Sequence, residues 1–166
     1  MRWRNRMPAA EPPGPADAEL AGVLAARLDA ASQARLGRSL GVFHVSGGGC
    51  NGCEREIRML RGVAYDLERL GLAFVGGPQQ ADVLLITGPV TRNLAAAVRD
   101  AWSAAPAPKW VVASGDCAIN GGLFADSYAV FNGAAALLPV DLTIPGCPPS
   151  PAAILAGLRT LIEANG

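Results

Sequence analysis

From residue 40 onward, short apolar runs alternate with segments whose apolar residues recur at helical spacing. The run DVLLIT at 82–87 is almost continuously apolar, which is typical of a strand buried on both faces. Alternating strands and helices predict a mainly parallel sheet with helices on both faces, an α/β domain. Thr91 and Ser150 are the predicted caps of the second and third helices. The predicted strands cover 40–45, 73–75, 82–87, 110–113 and 142–144, and the predicted helices cover 54–70, 91–103 and 151–163.

The first 39 residues differ from the rest in composition. Residues 1–16 are rich in Pro and Ala, which predicts a flexible segment. Residues 17–36 have apolar side chains at helical spacing and predict a helix that packs on its own domain or on a partner. We therefore divide the chain into an N-terminal extension, residues 1–39, and an α/β domain, residues 40–166.

Charge and hydropathy exclude several classes of protein. The chain has 14 basic and 14 acidic residues, whereas nucleic-acid binding normally requires a basic excess. No run of 18 apolar residues predicts a transmembrane helix, and the basic N-terminus is not followed by the apolar core of a signal peptide. We therefore expect a cytoplasmic protein. In that reducing compartment, cysteines are metal ligands or redox thiols more often than disulfides.

The four cysteines all follow predicted strands. Cys50 and Cys53 follow the first strand, Cys117 follows the fourth and Cys147 follows the fifth. Ligands of open α/β sheets bind at the carboxyl edge of the strands, so the fold itself is expected to bring the four thiols together. Glycines flank each cysteine and let the backbone approach a bulky ligand, and successive N–H groups can then face an anion. This pattern favours an iron–sulfur cluster.

Two other interpretations of the cysteines remain open at this point. The metal could be structural, a zinc ion or a cluster that only holds loops together in a protein without a redox role, although zinc sites usually contain two C-x-x-C pairs and this chain has one. A thioredoxin-like pair would use Cys50 and Cys53 and leave Cys117 and Cys147 without a role. Cys147 is followed by Pro148, as the last cysteine of many cluster motifs is.

Three blocks, GGGCNGCEREI, GDCAINGGLFADSYAV and PVDLTIPGCPPSP, resemble a known family. They resemble the small electron-transfer subunit of complex-I-related, membrane-bound [NiFe] hydrogenases. They are similar, a little less closely, to the 20 kDa subunit of NADH–quinone oxidoreductase. The resemblance runs from about residue 40 to the C-terminus, and the blocks occur in the order of the family.

The resemblance implies a flavodoxin-like α/β fold with one [4Fe–4S] cluster on Cys50, Cys53, Cys117 and Cys147. It implies a non-catalytic electron-transfer subunit of an oxidoreductase complex, peripheral on the inner face of the cell membrane. The implied partners are a large hydrogenase-like or complex-I-type catalytic subunit, a ferredoxin-like iron–sulfur subunit and membrane-arm subunits. No nucleophile with a neighbouring base is evident in the sequence, and a cluster by itself relays electrons.

The spacing of the first two cysteines distinguishes the branches of this family. The 20 kDa subunit of the quinone oxidoreductase has two adjacent cysteines in the first block, whereas Asn51 and Gly52 separate Cys50 from Cys53 here. The resemblance therefore favours a hydrogenase or formate-hydrogenlyase-like complex. A quinone-reducing complex remains the alternative.

The sequence also suggests roles for several residues that are not candidate ligands. Glu56 is either a proton-handling carboxylate near the cluster, as the resemblance implies, or a surface carboxylate that interacts with the helix dipole. His44, the only histidine, is expected in the core or at an interface. Asp116 is expected to orient its own loop through an Asx-type hydrogen bond. Core packing or an interface accounts for the aromatic side chains Trp102, Trp110, Phe124, Tyr128 and Phe131.

Overall fold

The computed structural model describes residues 39–62, 65, 67 and 71–164, and within them it contains one five-stranded sheet. All neighbouring strands are parallel, in the order β2–β1–β3–β4–β5. This is the flavodoxin-like order, whose ligand site lies at the switch point between β1 and β3. The predicted fold class is confirmed. The strands are β1 (Leu40–Ser46), β2 (Leu72–Phe74), β3 (Val83–Thr87), β4 (Trp110–Ser114) and β5 (Leu142–Ile144).

In the part of the chain that the structure describes, four α-helices cover the two faces of the sheet: α1 (Gly52–Leu60), α2 (Ala95–Ala104), α3 (Asp116–Asn120) and α4 (Pro151–Ala164). Helices α1 and α4 pack on one face, where Ile57, Leu155 and Leu158 join a core with Val42 and Leu85. A second core on the opposite face includes α2 and α3. Successive residues of β3 point alternately into these two cores, so every residue of β3 is buried.

Helix α1 is shorter than predicted. It begins at Gly52, two residues before the predicted start, and ends at Leu60 instead of residue 70. The chain leaves the helix at Gly62, whose N–H donates to the Met59 carbonyl at 3.0 Å. Glycine has a low helix propensity, which accounts for the early end. Part of the predicted span lies outside the described residues.

The predicted cap of the second helix is wrong. Helix α2 begins at Ala95, and Thr91 instead forms an isolated antiparallel bridge with Val130. The Thr91 N–H also donates to the Gly47 carbonyl at 2.7 Å. Thr91 therefore joins two loops at the carboxyl edge of the sheet and does not start a helix.

The predicted last helix is confirmed at its start. Pro151 is its first residue, and the Ser150 hydroxyl accepts from the Ala153 N–H at 3.2 Å. Helix α3 was not predicted. Among the described residues, no helix combines the length and the apolar character needed to cross a bilayer. The predicted extension lies almost entirely outside the described residues, so its boundary stays a prediction.

Candidate metal centre

The four cysteines lie in the segments that follow three strands, at the carboxyl edge of the sheet. Cys50 and Cys147 are exposed in loops, Cys53 is partly buried in the first turn of α1, and Cys117 is buried in α3. Each of these segments follows directly from β1, β4 or β5. The sheet therefore determines where the cysteines stand relative to one another.

The loop after β1 is tied to the end of β3. The Gly47 N–H donates to the Thr87 carbonyl at 2.6 Å, which extends the pairing of the two strands by one residue. Beyond it, Gly48 and Gly88 both have positive φ, and a Cβ on Gly88 would overlap the Gly48 carbonyl oxygen. Only glycine allows these two loops to pass so closely. The loop that carries Cys50 is therefore held at the switch point of the sheet.

Asp116 joins the segment of Cys117 to the loop of Cys147. Its Oδ1 accepts from the Gly146 N–H at 2.8 Å, and its own N–H donates to the Gly146 carbonyl at 2.9 Å. This reciprocal pair spans two loops, so the expectation that Asp116 bonds within its own loop is wrong. Asp116, which precedes Cys117, thus fixes the position of Gly146, which precedes Cys147.

Cys53 brings the loop after β1 close to the segment after β4. A Cβ built on Gly115 would lie 2.6 Å from the Cys53 Sγ, so α1 brings this sulfur against the end of β4. Likewise, a Cβ built on Gly52 would lie 3.5 Å from the Cys50 Sγ and 3.9 Å from Pro148, next to Cys147. The structure therefore brings the loops of all four cysteines together.

The thiols also affect one another electrostatically. The pKa of Cys53 is raised to about 12, first by burial and then by the charges of Glu54, Cys117, Cys50 and Cys147. Burial also raises the pKa of Cys117, followed by the charges of Cys147 and Cys50. Four thiolates at this edge would repel one another in the absence of a cation. Metal ligation offsets this electrostatic repulsion because the positive charge of the metal stabilises thiolates directly.

A second observation fits a sulfur-rich group at this edge. Ser114, the last residue of β4, is completely buried, and its hydroxyl has no hydrogen-bond partner in the described structure. It directly precedes Gly115, which contacts the Cys53 sulfur. Buried hydroxyls are rarely left unpaired, and a thiolate or sulfide would supply an acceptor. The residues present therefore fit a cluster.

No group of three or more His, Cys, Asp or Glu side chains in the described ranges is close enough to hold one metal ion. Ligation by the four cysteines therefore stays a prediction.

Glu54, which sequence reasoning missed, is the carboxylate that the structure fixes beside the cysteines. Its Oε1 accepts from the Ser46 hydroxyl at 2.9 Å and from the Thr87 hydroxyl at 2.8 Å. Burial raises the pKa of Glu54, but hydrogen bonds from its own N–H, Thr87 and Ser46 outweigh burial, and the pKa is lowered. The available signal was a carboxylate after Cys53 together with hydroxyl residues at the ends of two strands. Glu56 is partly buried on the same helix, and its role stays a prediction.

His44 extends this network into the sheet. Its Nε2 lies 2.9 Å from the Thr87 Oγ1. Because the one Thr87 hydroxyl proton is donated to Glu54, Thr87 accepts from His44, and the Nε2 of His44 carries the proton. His44 is partly buried on β1, and its expected role in the core or at an interface stays a prediction. The pKa of His44 is lowered, mainly by burial and also by Arg61, against the charge of Glu54.

We expect His44 to make the metal-free chain less stable in acid. Its pKa lies below the ordinary value of 6.5 in the folded chain, so as the pH falls the unfolded state takes up a proton before the folded state does. The free energy of unfolding is therefore expected to fall by at most about 1.4 kcal/mol between about pH 7.5 and pH 5.5. Urea unfolding of the wild type and of His44→Gln at both pH values, under a reducing agent, measures it. An equal loss in the two proteins would contradict the prediction.

The aromatic residues divide into two groups. Trp102 and Phe131 pack against one core and Trp110 against the other, which confirms the core interpretation for these three. Phe124 is exposed, and Tyr128 is 90% exposed. The last two lie in the segment that follows Cys117.

A family model described as NADH ubiquinone oxidoreductase, 20 Kd subunit, matches residues 50–161, which contain all four cysteines. Formate hydrogenlyase subunit 7 of Escherichia coli (strain K12) is 46% identical over 123 residues, which are 74% of this chain and 48% of that protein. The chain thus spans about half the length of that relative. Probable membrane-bound hydrogenase subunit mbhJ of Pyrococcus furiosus is 44% identical over 128 residues, 77% of each chain.

A solved structure has the same fold. One chain of the membrane-bound sulfane sulfur reductase (MBS), described as an archaeal respiratory membrane complex, superposes with a TM-score of 0.69 and 37% sequence identity. The match covers 83% of this chain and 77% of that chain.

Proposed function

Because the chain belongs to the family of the 20 kDa subunit of NADH–ubiquinone oxidoreductase, we propose that it is an electron-transfer subunit with one [4Fe–4S] cluster. The observation that carries this proposal is the convergence, at one edge of the sheet, of the segments that contain Cys50, Cys53, Cys117 and Cys147. The cluster ligands are these four thiolates. Residues 40–166 form the iron–sulfur domain and residues 1–39 an extension.

Each part of the chain has a separate task in this proposal. The cluster, when bound, takes up and releases a single electron. The four thiolates hold it, Gly48, Gly88 and Gly115 let the ligand segments pass closely, and the parallel sheet keeps these segments in one arrangement. No described residue has to form or break a bond to a substrate for this function.

The complex we propose is a membrane-associated hydrogenase or formate-hydrogenlyase-like assembly. Two relatives with more than 40% identity are named as subunits of formate hydrogenlyase and of a membrane-bound hydrogenase. The chain would be peripheral on the cytoplasmic side of the membrane and relay electrons to or from a large catalytic subunit. A ferredoxin-like subunit and membrane-arm subunits would complete the complex. The alternative is a quinone-reducing complex, which the name of the family supports.

The exposed segment after Cys117 supports a partner subunit at this edge. Leu123 is 86% exposed and Tyr128 90% exposed, and two such large, exposed side chains within six residues of sequence are typical of an interaction surface. The segment is anchored, because Arg92 donates to the Tyr128 carbonyl at 2.6 Å and stacks on Phe131 at 4.8 Å. An anchored segment with exposed Leu123 and Tyr128, a few residues after Cys117, suits the docking of a large subunit that exchanges electrons with the cluster.

The experiment is a redox measurement on the chain purified anaerobically with its neighbouring subunits. We expect iron and acid-labile sulfide, visible absorption that bleaches on reduction with dithionite, and a paramagnetic signal of the reduced state. Zinc without iron would contradict the proposal and favour a structural site. The large subunit distinguishes the branches, because two C-x-x-C pairs in its sequence would indicate nickel–iron chemistry and their absence quinone reduction.

A further inference from the structure

We propose that Glu54 is a fixed negative charge that lowers the reduction potential of the cluster. This inference rests on the proposed function, since it requires a cluster on the cysteines. It concerns the residue after Cys53, for which the sequence patterns suggested no role. Three features of the structure carry it: the origin of the two donors, the charge that remains on the carboxylate, and its place beside a ligand.

The two donors come from the sheet itself. Ser46 is the last residue of β1 and Thr87 is the last residue of β3, and the two are paired in register. Paired residues of parallel strands point to the same face, so their hydroxyls lie side by side under the start of α1. Both donate to one oxygen of Glu54, at 2.9 and 2.8 Å. The ends of β1 and β3 thus fix the position of the Glu54 carboxylate, which the flexible side chain of a glutamate would not fix by itself.

The carboxylate keeps its charge in this position. Both donors are neutral hydroxyls, which stabilise the ionised form without cancelling it. The Thr87 hydroxyl is itself polarised, because it accepts from His44 while it donates to Glu54. His44 is neutral near pH 7, since burial lowers its pKa. The network therefore adds one net negative charge next to Cys53.

A fixed negative charge disfavours the arrival of an electron nearby. The interaction is stronger in a partly buried site than in bulk water, because the effective dielectric constant is lower. Glu54 is partly buried and directly follows Cys53 in α1, and the Ser46 and Thr87 hydroxyls hold its Oε1 in place. Its field therefore acts on a cluster bound to the Cys53 sulfur. Removing the charge is therefore expected to make the cluster easier to reduce.

The test is the midpoint potential of the cluster in the assembled complex, measured by a redox titration that is followed by electron paramagnetic resonance. Glu54→Gln keeps the shape and an oxygen that can accept both hydroxyls, so it isolates the charge. We expect about a tenfold gain in the equilibrium constant for one-electron reduction, an upward shift of about 59 mV. Glu54→Asp retains the charge and should stay close to the wild type.

The matched control is Asp100→Asn, which removes the same charge from the exposed surface of α2, on the other face of the sheet. It should leave the potential unchanged. An unshifted potential in Glu54→Gln, or an equal shift in Asp100→Asn, would overturn the role of Glu54 while the proposed function stands. A wild-type complex without iron would instead overturn the proposed function.

Discussion

Replacing Cys147 with serine is expected to abolish cluster binding and leave the fold intact. Cys147 is exposed in the loop between β5 and α4, and exposed substitutions usually change the unfolding free energy by less than about 0.5 kcal/mol. The proposed cluster, however, loses one of its four ligands. We expect the iron content to fall at least about tenfold, because even indirect changes around a metal site reduce its affinity by 10–100-fold. Iron and sulfide analysis of anaerobically purified protein measures the loss.

This variant separates the interpretations that the sequence left open. A thiol pair formed by Cys50 and Cys53 would not need Cys147, so undiminished redox activity in Cys147→Ser would contradict the four-ligand proposal. A zinc site would also lose its metal, but the metal lost would be zinc. Ser103→Ala, on the exposed surface of α2, is the control and should retain all its iron. Circular dichroism confirms that each variant is folded.

Replacing Gly115 with alanine is expected to displace Cys53 and prevent cluster binding. Gly115 has φ 93° and ψ 151°, a conformation that essentially only glycine adopts. Backbone strain alone should lower the free energy of unfolding by about 1–3 kcal/mol. In addition, the new Cβ would lie 2.6 Å from the Cys53 Sγ, so one of the two must move. Iron analysis and urea unfolding measure the two effects.

Two other glycines provide matched controls for this prediction. A Cβ on Gly49, in the loop of Cys50, would make only ordinary contacts at 3.5 Å or more, and one on Gly76 would meet nothing within 4 Å. Gly49→Ala and Gly76→Ala should therefore keep the cluster and nearly all of their stability. If Gly49→Ala lost as much iron as Gly115→Ala, the steric explanation would be wrong, and any added bulk near the cysteines would be harmful.

The strands were easier to predict than the helices. All five predicted strands lie within one residue of the observed ones at each end, because each is a short, mostly apolar run, and β3 is buried on both faces. The error at Thr91 has a different cause. Its side chain suits a helix cap, but its backbone hydrogen-bonds to Gly47 and forms a β-bridge with Val130, and both residues are distant in sequence. Such contacts outweigh a local capping preference.

Glu54, the carboxylate beside the cysteines, also depends on contacts that local sequence patterns do not show. Glu54 and Glu56 are both acidic residues at the start of one helix, and a motif cannot tell them apart. Glu54 is singled out by the hydroxyls of Ser46 and Thr87, 8 and 33 residues away in the chain. These two residues become neighbours only when β1 pairs with β3.

Local patterns were enough to indicate the α/β class, the parallel direction of the strands and the segments that carry Cys50, Cys53, Cys117 and Cys147, since hydrophobic periodicity acts over a few residues. The family resemblance added the flavodoxin-like strand order, whereas the reciprocal bonds between Asp116 and Gly146 and the hydroxyl pair that holds Glu54 came only with the folded chain. They depend on contacts between residues dozens of positions apart, and the packing of two cores decides which of those contacts form.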